Sequence, residues 1–188
     1  MTIKTALSSW AQVASHELIS VLDGVHQNDV EAFCESLASA ANIALHGLGR
    51  EGLMMRALTM RLFHLGLKAT PVGDMTTPPL GVGDLLVVSA GPGSFDTIKA
   101  LMQIARAGGA RILLLTAEPD AVLGEFADLT VLIPARTMAR SVKLMGALPM
   151  GSAYEGALFL FFEYVVLQLA KRLKIDEFAM RARHTNLE

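Results

Sequence analysis

Leu7, Trp10, Val13, Ala14, Leu18, Val21 and Leu22 recur three or four residues apart, the spacing that lines one face of a helix, and Asp23-Gly24 ends the run. A second helix, which Asn28 or Asp29 can cap, runs through Phe33 and Leu37. The period then changes. Ile43-Ala44-Leu45-His46 is a short apolar run ending in glycines, followed by a helical stretch Leu53 to Leu65 closed by Gly66. Ala69 to Val72 is a second short strand, and Asp84 to Ser89 a third that leads through a Gly/Pro-rich loop into a helix from Phe95 to Ala107. Gly108-Gly109 ends that helix. Arg111 to Thr116 reads as a fourth strand, Asp120 to Phe126 as a short helix and Leu129 to Ile133 as a fifth strand. A long helix from Ser152 to Leu173 and a short tail ending RHTNLE complete the chain.

Strands that alternate with helices and carry continuous apolar runs belong to parallel sheets covered on both faces. The pattern predicts one α/β domain, a doubly wound layer sandwich: N-terminal helices over 1–40, a sheet core over 41–134, and the long helix with its tail over 151–188. No repeat or interdomain linker interrupts it.

Composition sharpens this picture. Hydrophobic residues make up 52% before glycine is added and charged residues only 18%, against about 45 to 50% with glycine and about 25% in ordinary globular proteins. Such a chain has more apolar surface than a small monomer hides, so a homo-oligomer is expected, with the long helix apolar around most of its circumference from Leu158 to Leu169. The formal net charge of -2 supplies no cationic field for nucleic acid or an anionic membrane. One cysteine, Cys34, fits a reducing cytoplasm, and the N-terminus shows no secretory signal. The window Ala157 to Ala170 is too short for a membrane span and is interrupted by Glu163 and Gln168. A soluble, cytoplasmic protein is expected.

Ligands of open parallel sheets bind outside the carboxyl ends of the strands, where helix N-termini present free N–H groups. That rule selects Gly47 to Gly52, Gly73 to Thr77, Ser89 to Thr97 and Thr116 to Asp120. Gly47-Leu48-Gly49-Arg50-Glu51-Gly52 is a literal GxGxxG, and Asp74 lies near the distance of a ribose-binding acid. A dinucleotide reading competes with glycines that merely turn a strand tightly into a helix. The chain is short for a dehydrogenase, and Arg50 stands where a diphosphate needs close approach. Ser89 to Thr97 combines backbone N–H groups, three hydroxyls and a helix start, which suits one phosphate; alternatively Ser94 or Asp96 caps the helix.

Ser152 and Glu155 fit a capping box at the start of the long helix, while the same Glu155 carboxylate, raised in pKa by an apolar wall, suits proton abstraction. The histidines 16, 26, 46, 64 and 184 include no i, i+4 pair, so no metal is expected. His64 falls in the last turn of its helix and His184 in a polar tail. Arg136, Arg140 and Lys143 form a basic loop before Glu155, either solvated or a phosphate-closing lid.

The segments GLGREG, MRLFHLG, GDLLVVSAG, LLLTAEP, ADLTVLIPA, PMGSAYE and RHTNLE, in this order and spacing, resemble the sugar isomerase (SIS) domain family, most closely its 6-phospho-3-hexuloisomerases, from about Ala41 to Glu188. The resemblance implies a five-stranded parallel sheet, a homo-oligomer that is usually tetrameric, no cofactor or metal, and interconversion of 3-hexulose 6-phosphate with fructose 6-phosphate in the ribulose monophosphate pathway. It maps a phosphate-binding loop onto Ser89 to Thr97, a proposed base onto Glu155, and site histidines onto His64 and His184, one of which a neighbouring chain is expected to supply. Gly49 and Arg50 from the first loop, with Ser89, Gly91, Gly93, Ser94 and Thr97 from the second, are the candidate substrate or phosphate contacts. Two departures touch this pocket. Glu51 stands where the family has a serine, and the usual SGSGET loop is longer here, with Asp96 adding negative charge. They support a rival expectation, a non-catalytic sugar-phosphate binding module, either a sensor or a degenerate isomerase.

Overall fold

The computed structural model describes residues 3–137 and 146–187. Five parallel strands, β1 (Ile43–Gly47), β2 (Ala69–Pro71), β3 (Leu85–Ser89), β4 (Arg111–Thr116) and β5 (Leu129–Leu132), form one sheet in the order β2-β1-β3-β4-β5. The helices are α1 (Ile3–Asp23), α2 (Gln27–Ala38), α3 (Gly49–His64), α4 (Asp96–Ala107), α5 (Ser152–Leu173) and α6 (Glu177–Ala182), with a short 3-10 helix at Val122–Phe126. Alternate side chains of each central strand feed opposite cores. Leu85, Val87, Leu113 and Leu115 pack with α2, α3 and α5, whereas Leu86, Val88, Ile112 and Leu114 pack with α4 and the 3-10 helix. This two-sided burial is why β3 has no polar alternation: all five of its residues are buried.

Several boundaries differ from the sequence expectation. The residue before α2 is His26, which makes no side-chain cap, so Asn28 and Asp29 lie inside the first turn. Phe95 precedes α4, again without a side-chain cap, and neither Ser94 nor Asp96 fills that role. The segment after β4 is a 3-10 turn from Val122 rather than a helix from Asp120. Asp84 lies outside β3; its carboxylate accepts from the Asn42 N–H at 3.0 Å, Asn42 Nδ2 at 2.8 Å and the Gly81 N–H at 2.8 Å. The tail contains α6, whose first turn is capped by Asp176 accepting from the Ala179 N–H at 2.7 Å. Six residues are too few to show helical periodicity.

The helix α3 begins four residues before the expected Leu53. Gly49 takes φ +54°, and a Cβ on Gly52 would stand 2.5 Å from the Gly47 carbonyl oxygen, so the glycines let β1 fold directly onto the first turn of α3. Arg50 and Glu51 therefore lie on a helix start at the carboxyl edge of the sheet. At 22 residues, α5 outlasts the apolar window read from sequence and is long and apolar enough to cross a membrane, but half of its most apolar stretch is buried inside the fold. It is the core helix of this domain.

Candidate functional site

The carboxyl edges of β1 and β3 and the first turn of α5 meet at one place. Arg50 reaches from α3 to α5, where its guanidinium pairs with Glu155 at 2.8 Å and donates to Ser152 Oγ at 3.0 Å. The residue preceding α5 is Gly151 in a left-handed conformation, so Ser152 already lies within the helix and no capping box forms. The S-x-x-E pattern instead presents a hydroxyl and a carboxylate to Arg50. Glu155's side chain is 13% exposed and Arg50's 61%, so the pair has one end in the protein and one in solvent. Burial raises the Glu155 pKa, and the Arg50 charge pulls it back down. A carboxylate made more basic yet kept charged by an exposed, displaceable cation is suited to take a proton from carbon.

Behind this pair lies Glu51. The Ser89 hydroxyl donates to its Oε2 at 2.6 Å and the Gly91 N–H donates to the same oxygen at 3.0 Å. Tyr154, fully buried, places its hydroxyl 3.2 Å from Ser89 Oγ. A Cβ on Gly91 would lie 3.0 Å from Glu51 Oε1 and from the Tyr154 ring, so a side chain there would press on both. Burial is the largest cause of a raised Glu51 pKa; the Ser89 and Gly91 bonds oppose it, and the nearby Glu155 charge adds to it.

The folded state holds the Glu51 proton more tightly than the unfolded chain does. Its contribution to stability is therefore full below the ordinary carboxylate pKa of about 4.3 and is lost as pH rises through the raised folded value. Thermal melts should show Glu51→Gln gaining on the wild type as pH rises above about 4.3. A difference that stays flat over that range, or moves toward the wild type, contradicts an ionising Glu51 in this pocket.

Farther along the loop, Gly93 is buried with φ +90° while Ser94, Asp96 and Thr97 are exposed at the start of α4. A Cβ on Gly93 would meet Glu118 Cβ at 3.0 Å, which places that acidic residue against the loop. Of the basic loop, Arg136 pairs with Glu17 on α1, and Arg140 and Lys143 lie outside the described residues. His64 is buried at the last residue of α3, its ring stacked on His184 with centroids 5.1 Å apart and planes 29° apart. Arg183 joins them by donating to the His64 carbonyl at 3.1 Å.

The structure thus unites Gly49, Arg50, Ser89, Gly91 and Glu155 at one edge and the two histidines at another. The 16 residues of α3 put its two ends about 24 Å apart, so within one chain the histidines and Glu155 do not share a site. Sequence reasoning missed Tyr154 and the Arg50–Ser152 contact. Only an aromatic beside Glu155 signalled the former; the latter joins residues far apart in sequence. Among the described residues, no group of three His, Cys, Asp or Glu is placed to hold a metal ion.

No protein-family model matches the chain. A 3-hexulose-6-phosphate isomerase of Bacillus subtilis is 32% identical over 165 residues, covering 87% of this chain and 89% of that one. One from Methanocaldococcus jannaschii is 33% identical over 161 residues, 86% of this chain and 85% of the other. A crystal structure from Methanococcus jannaschii, for which a molecular function of 3-hexulose-6-phosphate isomerase has been inferred, aligns with a TM-score of 0.83 and 28% identity, covering 95% of this chain and 98% of that chain. The five-stranded parallel sandwich is the fold of the SIS-type phosphosugar isomerases. Within that class, the chain belongs to the 3-hexulose-6-phosphate isomerase family.

Proposed function

We propose that this protein interconverts 3-hexulose 6-phosphate and fructose 6-phosphate through a 2,3-enediol intermediate, with Glu155 carrying the proton. The supporting observation is the Glu155 carboxylate, buried enough to be made more basic and paired with an exposed Arg50 at the carboxyl edge of the sheet. Starting from the 3-ketose, Glu155 takes the proton from C2, the C–H electrons form the C2–C3 double bond, and the C3 carbonyl oxygen becomes a hydroxyl or oxyanion. The C2 hydroxyl proton then passes to the C3 oxygen, the C2 oxygen's electrons form the new carbonyl, and the double-bond electrons take the proton back from Glu155 at C3. Arg50 lies close enough to Glu155 to steady the charge that develops on those oxygens. Holding sugar carbons against a fixed carboxylate supplies the orientation that a bimolecular proton transfer lacks. The substrate phosphate faces the outer part of the loop, where Ser94 and Thr97 are exposed at the start of α4.

The test is a panel of sugar phosphates incubated with purified protein, alongside heat-inactivated controls and with products separated by anion-exchange chromatography. Conversion of fructose 6-phosphate to a second ketose phosphate is expected, and none anywhere in the panel rejects the reading. The rival is a binding module without turnover. What favours it is Glu51, which engages the Ser89 and Gly91 donors. Saturable sugar-phosphate binding with no product would select it.

The working form we propose is a cytoplasmic homo-oligomer, most simply a tetramer. Leu7 and Val13 on α1, Leu53 and Phe63 on α3, and Phe159 and Leu167 on α5 are all exposed although the opposite side of α5 is buried in the core. Apolar side chains on three helices need a cover, and a second copy offers the same chemistry. Such an assembly also gives the His64–His184 pair a route to the Glu155 of a neighbouring copy, where an imidazole can polarise the sugar oxygen or help open its ring. Light scattering at micromolar concentration should give a mass well above one chain's 20.1 kDa. A strictly monomeric species removes both claims.

A further inference from the structure

Two donors from β3 and its loop, the Ser89 hydroxyl and the Gly91 N–H, converge on a single oxygen, Glu51 Oε2. Convergent donors at the carboxyl end of a strand are the geometry that holds an oxyanion, and a phosphate oxygen would make the same pair of bonds. Here the chain fills that seat itself. Tyr154 closes the inner side against Ser89, and Gly91 packs closely against the carboxylate and the Tyr154 ring.

We propose that Glu51 is a specificity-determining residue: its carboxylate fills the oxyanion seat of Ser89 and Gly91 and keeps the phosphate of a sugar phosphate out of it. The inference deepens the function proposed above and relies on it for the identity of the sugar. A phosphate entering the seat would have to displace an anion tethered to α3 and so present at high effective concentration. It would also face like charge. Glu155 stands on α5 near Glu51, Glu118 packs against Gly93 in the same loop, and the nearby cation Arg50 is paired with Glu155. Burial leaves Glu51 a weaker acid than an exposed carboxylate, and the Ser89 and Gly91 bonds oppose that shift by favouring its charged form. A phosphorylated substrate is then left with the outer part of the loop, where Ser94 and Thr97 are exposed. The substrate's phosphate lies farther from β3 than the seat would place it.

The test is calorimetric titration of inorganic phosphate and of fructose 6-phosphate into the full chain at neutral pH. The proteins are the wild type, Glu51→Ser and Glu51→Gln, each with and without Ser89→Ala, and circular dichroism confirms folding. Opening the seat restores one charge-assisted hydrogen bond or more, so Glu51→Ser should bind inorganic phosphate about 10- to 100-fold more tightly than the wild type. Ser89→Ala should undo most of that gain while changing wild-type phosphate affinity by less than about twofold, because in the wild type the hydroxyl is already bonded to Glu51. Glu51→Gln, nearly the same shape, removes only the charge; it should strengthen phosphate binding by a smaller factor and decides the matter alone if Glu51→Ser does not fold. Unchanged or weaker phosphate binding in the folded Glu51 variants overturns the proposal, as does a Ser89→Ala loss that is equal in wild type and variant. Turnover is read separately. A gain in phosphate affinity with no conversion of fructose 6-phosphate sinks the assigned reaction and leaves the role of Glu51 standing, whereas wild-type conversion without the gain does the reverse.

Discussion

Glu155→Gln should lower kcat by about 100- to 10,000-fold, the range attributed to a positioned general base, while fructose 6-phosphate still binds. Gln keeps the size of the side chain and can still meet Arg50, but it has no lone pair basic enough to take a proton from carbon. The variant should also fold. The residue makes no capping box, since Gly151 and not Ser152 precedes the helix, and a half-exposed ion pair with Arg50 contributes little to stability. The raised pKa of Glu155 points the same way: ionising it costs the folded state something that a neutral amide avoids. A coupled assay of kcat beside a binding isotherm separates the outcomes. Near-wild-type turnover in the Gln variant rejects Glu155 as the base even if isomerase activity is confirmed.

The second large effect concerns His64. If an imidazole from one copy serves the Glu155 of another, His64→Ala and Glu155→Gln should each be nearly inactive alone, and mixed oligomers of the two should recover activity. In a random equal mixture a site is intact when its Glu155 comes from the His64 variant and its histidine from the Glu155 variant, so roughly a quarter of the sites work in a closed symmetric oligomer. Subunits can be exchanged in mild denaturant and activity followed over time. Recovery to about that fraction places the histidine across an interface. No recovery, with exchange confirmed by mass spectrometry, confines each working site to one chain and removes His64 from the chemistry, because His64 ends α3 whereas Glu155, on α5, pairs with Arg50 at the start of α3.

The parts of the fold that were legible in the sequence are those in which one element declares itself. The apolar runs at Leu85–Ser89 and Arg111–Thr116 are buried on both faces, so composition alone marks them as inner strands of a parallel sheet. The range of α5 could be read directly, since a 22-residue helix has room for its pattern. The start of α3 could not. Its first turn carries Arg50 and Glu51 rather than an apolar stripe, and the close approach of Gly47 to Gly52 that permits it is a tertiary fact. Local chemistry also misled where a distant partner won: Ser152 and Glu155 have capping-box spacing but turn to Arg50, 102 residues from that serine. Glu51 was visible as an unexpected charge near the loop expected to take a phosphate. What it does with that charge depends on Ser89, Gly91 and Tyr154, which reach it from other strands and helices.

The assigned reaction has a signature in heavy water. When fructose 6-phosphate is incubated with the protein in D2O, removing the C3 proton and returning a solvent deuteron should place deuterium at C3, visible as loss of the C3 proton signal by NMR. Glu155→Gln should slow the exchange in proportion to its loss of turnover. Exchange at C1 instead would mean an enediol between C1 and C2, and therefore a different isomerisation; no exchange and no conversion, from protein shown by calorimetry to bind the sugar phosphate, would contradict the enzyme and leave a binding module.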